Sequence, residues 1–260
     1  MSLADTFYDS ADQALVDEFL ERGYVIVDVD DRAALDEMRH EFVKAACAHM
    51  KVALPADDDA FLNSLHEVLP VEKLNDLRLG LYRGTNEQPW FRPTYFGLAR
   101  RSIEALVGNE LAMQNRINLS IQMPHDRTSL LDIHADVFSG ESPYQVVEWL
   151  PLVDVAKTKS MFILPRRKSE AVIARLREFG AGGMKALFDH VKDDLIWLTI
   201  PYGKLLIFCP NFLHGNVVNE EPTTRWSLNV RITGLFTRRW SSLNQSSCGS
   251  PYGHTRKPSL

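Results

Sequence analysis

A chain of 260 residues, 45% of them hydrophobic, carries enough apolar material to bury one full core, so a single domain spanning residues 1–260 is expected. Lys and Arg number 29 against 34 Asp and Glu, and a net charge of -5 lacks the basic footprint that nucleic-acid binding requires, which leaves a small molecule as the expected partner. Cys47, Cys209 and Cys248 are too few and too scattered for a disulfide framework or a zinc site, no run of 18 apolar residues is present, and residues 1–13 are polar and acidic, so a reduced, cytoplasmic chain without membrane association is expected.

In chain order, the segment 10–13 offers a helix start, and Leu15, Phe19 and Leu20 form a helical stripe that stops at Gly23. Residues 24–29 read as a strand. Residues 31–50 are strongly helical, with Leu35, Met38, Phe42, Val43 and Ala46 on one side. A helix is predicted over 61–81. An irregular loop is predicted over 82–95, because Gly84, Pro89 and Pro93 interrupt it, and its Arg83, Trp90, Arg92 and Tyr95 are placed within reach of a pocket mouth. After a helix near 98–107, strands alternate with turns, interrupted by a helical insertion over 169–192 that Gly180, Gly182 and Gly183 divide. The expected layout is a helical cover over 1–112, a β core over 113–236 and a tail over 237–260, with no internal repeat. Nothing in it sets the oligomeric state.

The chemistry concentrates in the β core. In an extended segment residues i and i+2 point to one face, so His134 and Asp136 can grip one ion while Ala135 stays out of the way. A buried strand over 203–209 leads through Pro210 to His214, which supplies a second imidazole. Two imidazoles and one carboxylate on one face of a divalent ion leave its other positions open, as a non-haem Fe(II) oxygenase needs. Such an enzyme takes electrons from a keto acid ending in a carboxylate. Arg225 with Ser227 two residues on can anchor that group by charge-assisted hydrogen bonds, with Arg231 as the rival anchor. Arg225, Ser227, Asn229 and Arg231 alternate and so share the pocket face, as do Asn118, Ser120 and Gln122 on an earlier strand, where Asn118 and Gln122 are cofactor-side candidates. Trp149, Trp197 and Phe208 are expected in the core, and the other histidines, His125 included, outside the ligand set.

Residues 115–236 resemble the core of the Fe(II)- and 2-oxoglutarate-dependent dioxygenases, in the branch related to phytanoyl-CoA hydroxylase. The motifs run in order: His134-Ala135-Asp136, Phe162-Ile163-Leu164-Pro165 leading to Ser169, Tyr202 to Phe208, His214-Gly215, Asn219 and Arg225. The opening stretch from Phe19 to Val27 is similar to that branch too. One departure is the cationic turn Arg166-Arg167-Lys168, where the family often has Gly-Ser-His. The stretch from Trp226 to Arg231 and the tail around Trp240 look most similar to oxygenases of carbohydrate and aminosugar antibiotic clusters of the streptomycin type.

This resemblance implies an α+β fold with a double-stranded β-helix, a cupin-like jelly-roll, under N-terminal helices. It implies Fe(II) on His134, Asp136 and His214, 2-oxoglutarate as cosubstrate, and O2. Hydroxylation is the default outcome, and with Asp136 filling the carboxylate position halogenation is disfavoured. The expected substrate is small and polar, a sugar, aminosugar or related natural-product intermediate, met by Arg83, Trp90, Tyr95, Arg166 and Arg231. Two alternatives stay open: a cupin-like isomerase or hydrolase that does not use 2-oxoglutarate, and a non-catalytic sugar-binding module.

Overall fold

The computed structural model describes residues 8–180 and 182–237, so the expected tail with Trp240 and Cys248 lies outside the described residues. Helix α1 (Ser10–Arg22) starts where the Asp9 carboxylate accepts from the N–H groups of Ala11 and Asp12. It ends where Gly23, at φ +82°, donates its N–H to Phe19. Strand β1 (Tyr24–Asp28) follows, then α2 (Arg32–Met50), capped by Asp31 and burying the expected stripe from Leu35 to Ala46.

The helix expected over 61–81 is divided into α3 (Asp58–Asn63), α4 (Leu65–Val68) and α5 (Val71–Asn86). Pro70 explains the break, since it holds Leu69 extended and offers no N–H to continue a helix. The loop expected over 82–95 is corrected to helix. α5 runs through Gly84 to Asn86, and α6 (Phe91–Gly97) carries Pro93 in its first turn, where a backbone N–H has no intrahelical partner to lose. α7 (Arg100–Val107) completes the cover.

The remaining strands form two antiparallel sheets. They are β2 (Leu111–Met113), β3 (Asn118–Gln122), β4 (Gln145–Pro151), β5 (Phe162–Ile163), β6 (Ile196–Trp197), β7 (Lys204–Phe208), β8 (His214–Gly215) and β9 (Arg225–Gly234). The larger sheet has the order β1-β7-β4-β9-β2 with β3 also paired to β9, and the smaller has the order β6-β5-β8. β9 divides its residues between two layers. Trp226, Leu228, Val230 and Ile232 are fully buried in the core that the helices share, where the Trp226 indole donates to Leu62 O at 3.0 Å. Arg225, Ser227, Asn229 and Arg231 face the opposite way, into a cavity between the sheets.

Register sets what stands beside them: Ser120 is opposite Ser227, Asn118 and Trp149 flank Asn229, and Val147 lies between Arg231 and Phe208. The helical insertion forms α8 (Arg166–Ala174) and α9 (Gly183–Val191). Leu187 and Val191 pack with Ile133, Phe162 and Leu164 in a second apolar core that also takes in Trp197, so this segment covers the outer face of the smaller sheet. Among the described residues no helix is long and apolar enough to cross a membrane.

Candidate metal centre

His134 and His214 form an antiparallel bridge at the edge of the smaller sheet, each donating its backbone N–H to the other's carbonyl at 2.9 and 2.8 Å. Asp136 is tied down by its own N–H to Pro210 O at 3.0 Å. The side chains alternate as a strand requires, so Ala135 turns outward into the second core while His134 and Asp136 turn inward. Each imidazole has Nδ1 against the carbonyl two residues back, Asp132 O at 2.7 Å and Phe212 O at 2.8 Å. A carbonyl can only accept, so Nδ1 carries the proton and Nε2 keeps its lone pair for the cavity.

The one-atom donors of His134, Asp136 and His214 lie within 4.8 Å of one another. Asp136 Oδ1 is 3.3 Å from His134 Nε2 and 3.6 Å from His214 Nε2. Three neighbours hold His214 in place. Ser169 Oγ accepts the Leu213 N–H at 2.7 Å, and the Leu164 N–H donates to Leu213 O at 2.8 Å. Gly215 has no room for a side chain, since a Cβ there would sit 2.8 Å from Leu131 O and 2.9 Å from the Phe162 ring.

Protonation suits a cation. Burial works to raise the Asp136 pKa, but its neighbours His134, His214 and Arg231 outweigh it and bring the carboxyl down to about 2. Burial, with His134 beside it, pushes His214 down to about 4, so at neutral pH it is an uncharged ligand next to an ionised carboxylate.

The cavity in front of these groups holds about 290 Å³ and reaches Arg225. Arg225 is 4% exposed, and burial lowers its pKa to about 10 while Asp126 works the other way, so it is a cation at neutral pH. Its Nη2 donates to Ser120 Oγ at 3.2 Å. Its Nε has no hydrogen-bond partner among the described residues, and neither has the Oγ of fully buried Ser227. A buried guanidinium N–H and a buried hydroxyl left unpaired on one strand face are a costly arrangement that an anion would complete. A carboxylate fits both.

The other expected site residues fall elsewhere. Arg231 gives Nε and Nη2 to Asp136 Oδ2 rather than standing free as an anchor. Gln122 is fully buried and spans Val217 O and Asn216, while Asn118 donates to Asn229 Oδ1 at 3.0 Å, so both hold neighbouring chain behind the cavity. Arg83, Trp90, Tyr95 and Arg166 do not line it. Arg83 is exposed on α5, and Trp90 packs edge-on against Phe91 in the helical layer. Tyr95 is fully buried, its hydroxyl donating to Glu148 O at 3.2 Å, and Arg166 bonds Glu170 and Leu20 O in a separate groove. For Arg83, Trp90 and Tyr95 the cause is shared: the helical segment 82–95 lies on the far face of the larger sheet.

Trp149 and Phe208, expected as core, are buried and yet line the cavity. Asn216 lines it as well and clamps the chain before the metal cluster by accepting the Leu131 N–H at 2.6 Å. Its place two residues after His214 in an extended segment was a signal for that orientation.

No protein-family model matches the chain, and no curated protein matches it in sequence. Solved structures do match its fold. HygX from Streptomyces hygroscopicus, with nickel and 2-oxoglutarate bound, has a TM-score of 0.58 at 13% identity, covering 92% of this chain and 95% of that one. ThoJ, a non-heme monooxygenase in complex with nickel, has a TM-score of 0.52 at 15% identity, covering 85% and 77%. EctD from S. alaskensis, with 2-oxoglutarate and 5-hydroxyectoine, has a TM-score of 0.51 at 15% identity, covering 90% and 79%. The chain shares the fold of non-haem oxygenases, and its His-Asp-His cluster lies within that fold.

Proposed function

We propose that this protein is an Fe(II)- and 2-oxoglutarate-dependent oxygenase acting on a small organic molecule, its two sheets forming a distorted double-stranded β-helix. The observation that carries the reading is the pairing, in one cavity of about 290 Å³, of a buried His-Asp-His cluster with the unpaired Nε of Arg225 and hydroxyl of Ser227. His134, Asp136 and His214 hold the ion, and Arg225 and Ser227 receive the far carboxylate of the keto acid. When bound, the metal and keto acid supply the activation of O2 and the electrons that reduce its second atom. The chain's own residues orient the two and keep water from them, with Trp149, Met161, Val147 and Phe208 as the apolar wall.

A cupin-like isomerase without a keto acid leaves the buried Arg225 Nε and Ser227 hydroxyl without a partner, and a sugar-binding module has no use for an open metal position, so both alternatives fit less well. The substrate is read as a small polar molecule of sugar or aminosugar type. Support now comes from Ser139, Glu141 and Asn229 at the cavity, with the flat Trp149 ring, in place of the displaced rim. The test is succinate release from 2-oxoglutarate with Fe(II) across polyhydroxylated, amine-bearing and apolar compounds, with Asp136→Ala as control. Stimulation by the polyhydroxylated set that Asp136→Ala abolishes is expected; stimulation by apolar compounds alone overturns the substrate reading.

A further inference from the structure

Asp136 divides its two oxygens between two tasks. Oδ1 is the oxygen turned toward both imidazole Nε2 atoms, at 3.3 and 3.6 Å. Oδ2 takes two guanidinium N–H groups from Arg231, Nε at 3.0 Å and Nη2 at 2.8 Å. Arg231 is itself held. Its backbone N–H donates to Gln114 Oε1 at 3.3 Å, and Glu141 Oε2, which accepts from Gln145 at 3.1 Å, lies 3.9 Å from its Nε. The guanidinium is largely buried, 19% exposed, so water screens this pair only weakly.

We propose that Arg231 is a positioning residue whose fork occupies Asp136 Oδ2 and so keeps Asp136 a one-oxygen ligand; the inference rests on the iron and 2-oxoglutarate reading above. A carboxylate with both oxygens free can grip an ion twice and take up one more of its positions. This site needs those positions for the two keto-acid oxygens and for O2. A planar, two-pronged donor is the group that can hold one oxygen from two directions, which a lysine cannot do. Arg231 therefore belongs to the metal rather than to the far carboxylate of the keto acid, and Glu141 steadies it from the cavity mouth.

The probe is Co(II), titrated into metal-free wild type, Arg231→Gln, Arg231→Lys and Glu141→Gln, with visible absorption and then 2-oxoglutarate affinity at saturating Co(II). Loss of a partner outside the ligand shell costs roughly 10–100-fold in metal affinity, and that loss is expected for Arg231→Gln together with an altered Co(II) spectrum, any fall in 2-oxoglutarate affinity appearing only alongside that spectral change. Partial recovery is expected in Arg231→Lys, and a smaller loss of the same kind in Glu141→Gln. Wild-type Co(II) affinity and spectrum in Arg231→Gln overturn the inference, as does a fall in 2-oxoglutarate affinity alone, which makes Arg231 a cosubstrate ligand. If Arg231→Gln does not fold, Arg231→Lys decides by the same two readouts, a wild-type spectrum and affinity counting against the proposal. Failure of the wild type to bind Co(II) at all sinks the metal reading instead.

Discussion

His134 and His214 face each other across a two-hydrogen-bond bridge, with their ring centroids 4.3 Å apart. The backbone itself, rather than the ion, therefore sets the separation of two of the three candidate ligands. His214→Ala is expected to abolish metal binding yet leave the fold standing. The hydrogen bond to Phe212 O that it loses is worth on the order of 1 kcal/mol, about 2–4 °C of melting temperature for the metal-free protein. Paired Co(II) titration and thermal melts check it; retained metal removes His214 from the ligand set.

Arg225 and Ser227 give opposite results for stability and for binding. Arg225→Met replaces a buried cation by an apolar side chain of similar length, so the cosubstrate-free variant is expected to melt at or above the wild-type temperature. The same change should cost the keto acid about 1.5–3 kcal/mol per charge-assisted hydrogen bond lost, at least tenfold in affinity. Thermal shift with and without 2-oxoglutarate separates the two effects, and a variant still stabilised by 2-oxoglutarate contradicts the anchor role.

What the sequence disclosed of this site followed from the period of two. His134 with Asp136, and the run Arg225, Ser227, Asn229, Arg231, read correctly because alternation alone tells which side chains share a face. The rim did not, because Gly84, Pro89 and Pro93 look like breakers in any window. Only the fold shows that Pro93 sits in a helix's first turn and that Gly84 faces open space. Pro70, the proline that does break a helix, lies inside the stretch 61–81 whose apolar spacing predicts one. Trp149 and Phe208 show a different limit, since an aromatic side chain in a strand is apolar and buried whether it packs a core or walls a cavity. Register against Asn229 and Val147 separates the two cases, and register is a property of pairs of strands.

Gly215 offers a test that touches no ligand. Gly215→Ala forces a Cβ against Leu131 O and the Phe162 ring, an overpacking that costs about 1–3 kcal/mol. The adjoining His214 is expected to move, so metal affinity should fall along with denaturant stability. Unchanged values of both measurements mean that the segment yields without disturbing the site.

The pH response of the metal-free protein follows from His214, whose pKa drops from 6.5 to about 4 on folding, chiefly through burial. Between these values the unfolded chain binds a proton that the folded chain refuses, so stability is expected to fall as pH drops from about 6.5 toward 4. Asp136, lowered from 3.8 to about 2, adds a further loss only below about pH 4. Urea unfolding at pH 7 and pH 5 measures the first window. His214→Gln should flatten it, and an equally steep variant assigns the loss to other groups.

The central claim is that one cavity holds Fe(II) on His134, Asp136 and His214 together with 2-oxoglutarate on Arg225 and Ser227. Anaerobic addition of Fe(II) and then 2-oxoglutarate, followed by visible absorption, tests it most directly. A weak charge-transfer band is predicted in the wild type only when both are present, absent from His214→Ala and shifted to higher 2-oxoglutarate concentration in Arg225→Met. A wild type that binds Fe(II) but develops no band at any 2-oxoglutarate concentration contradicts the claim.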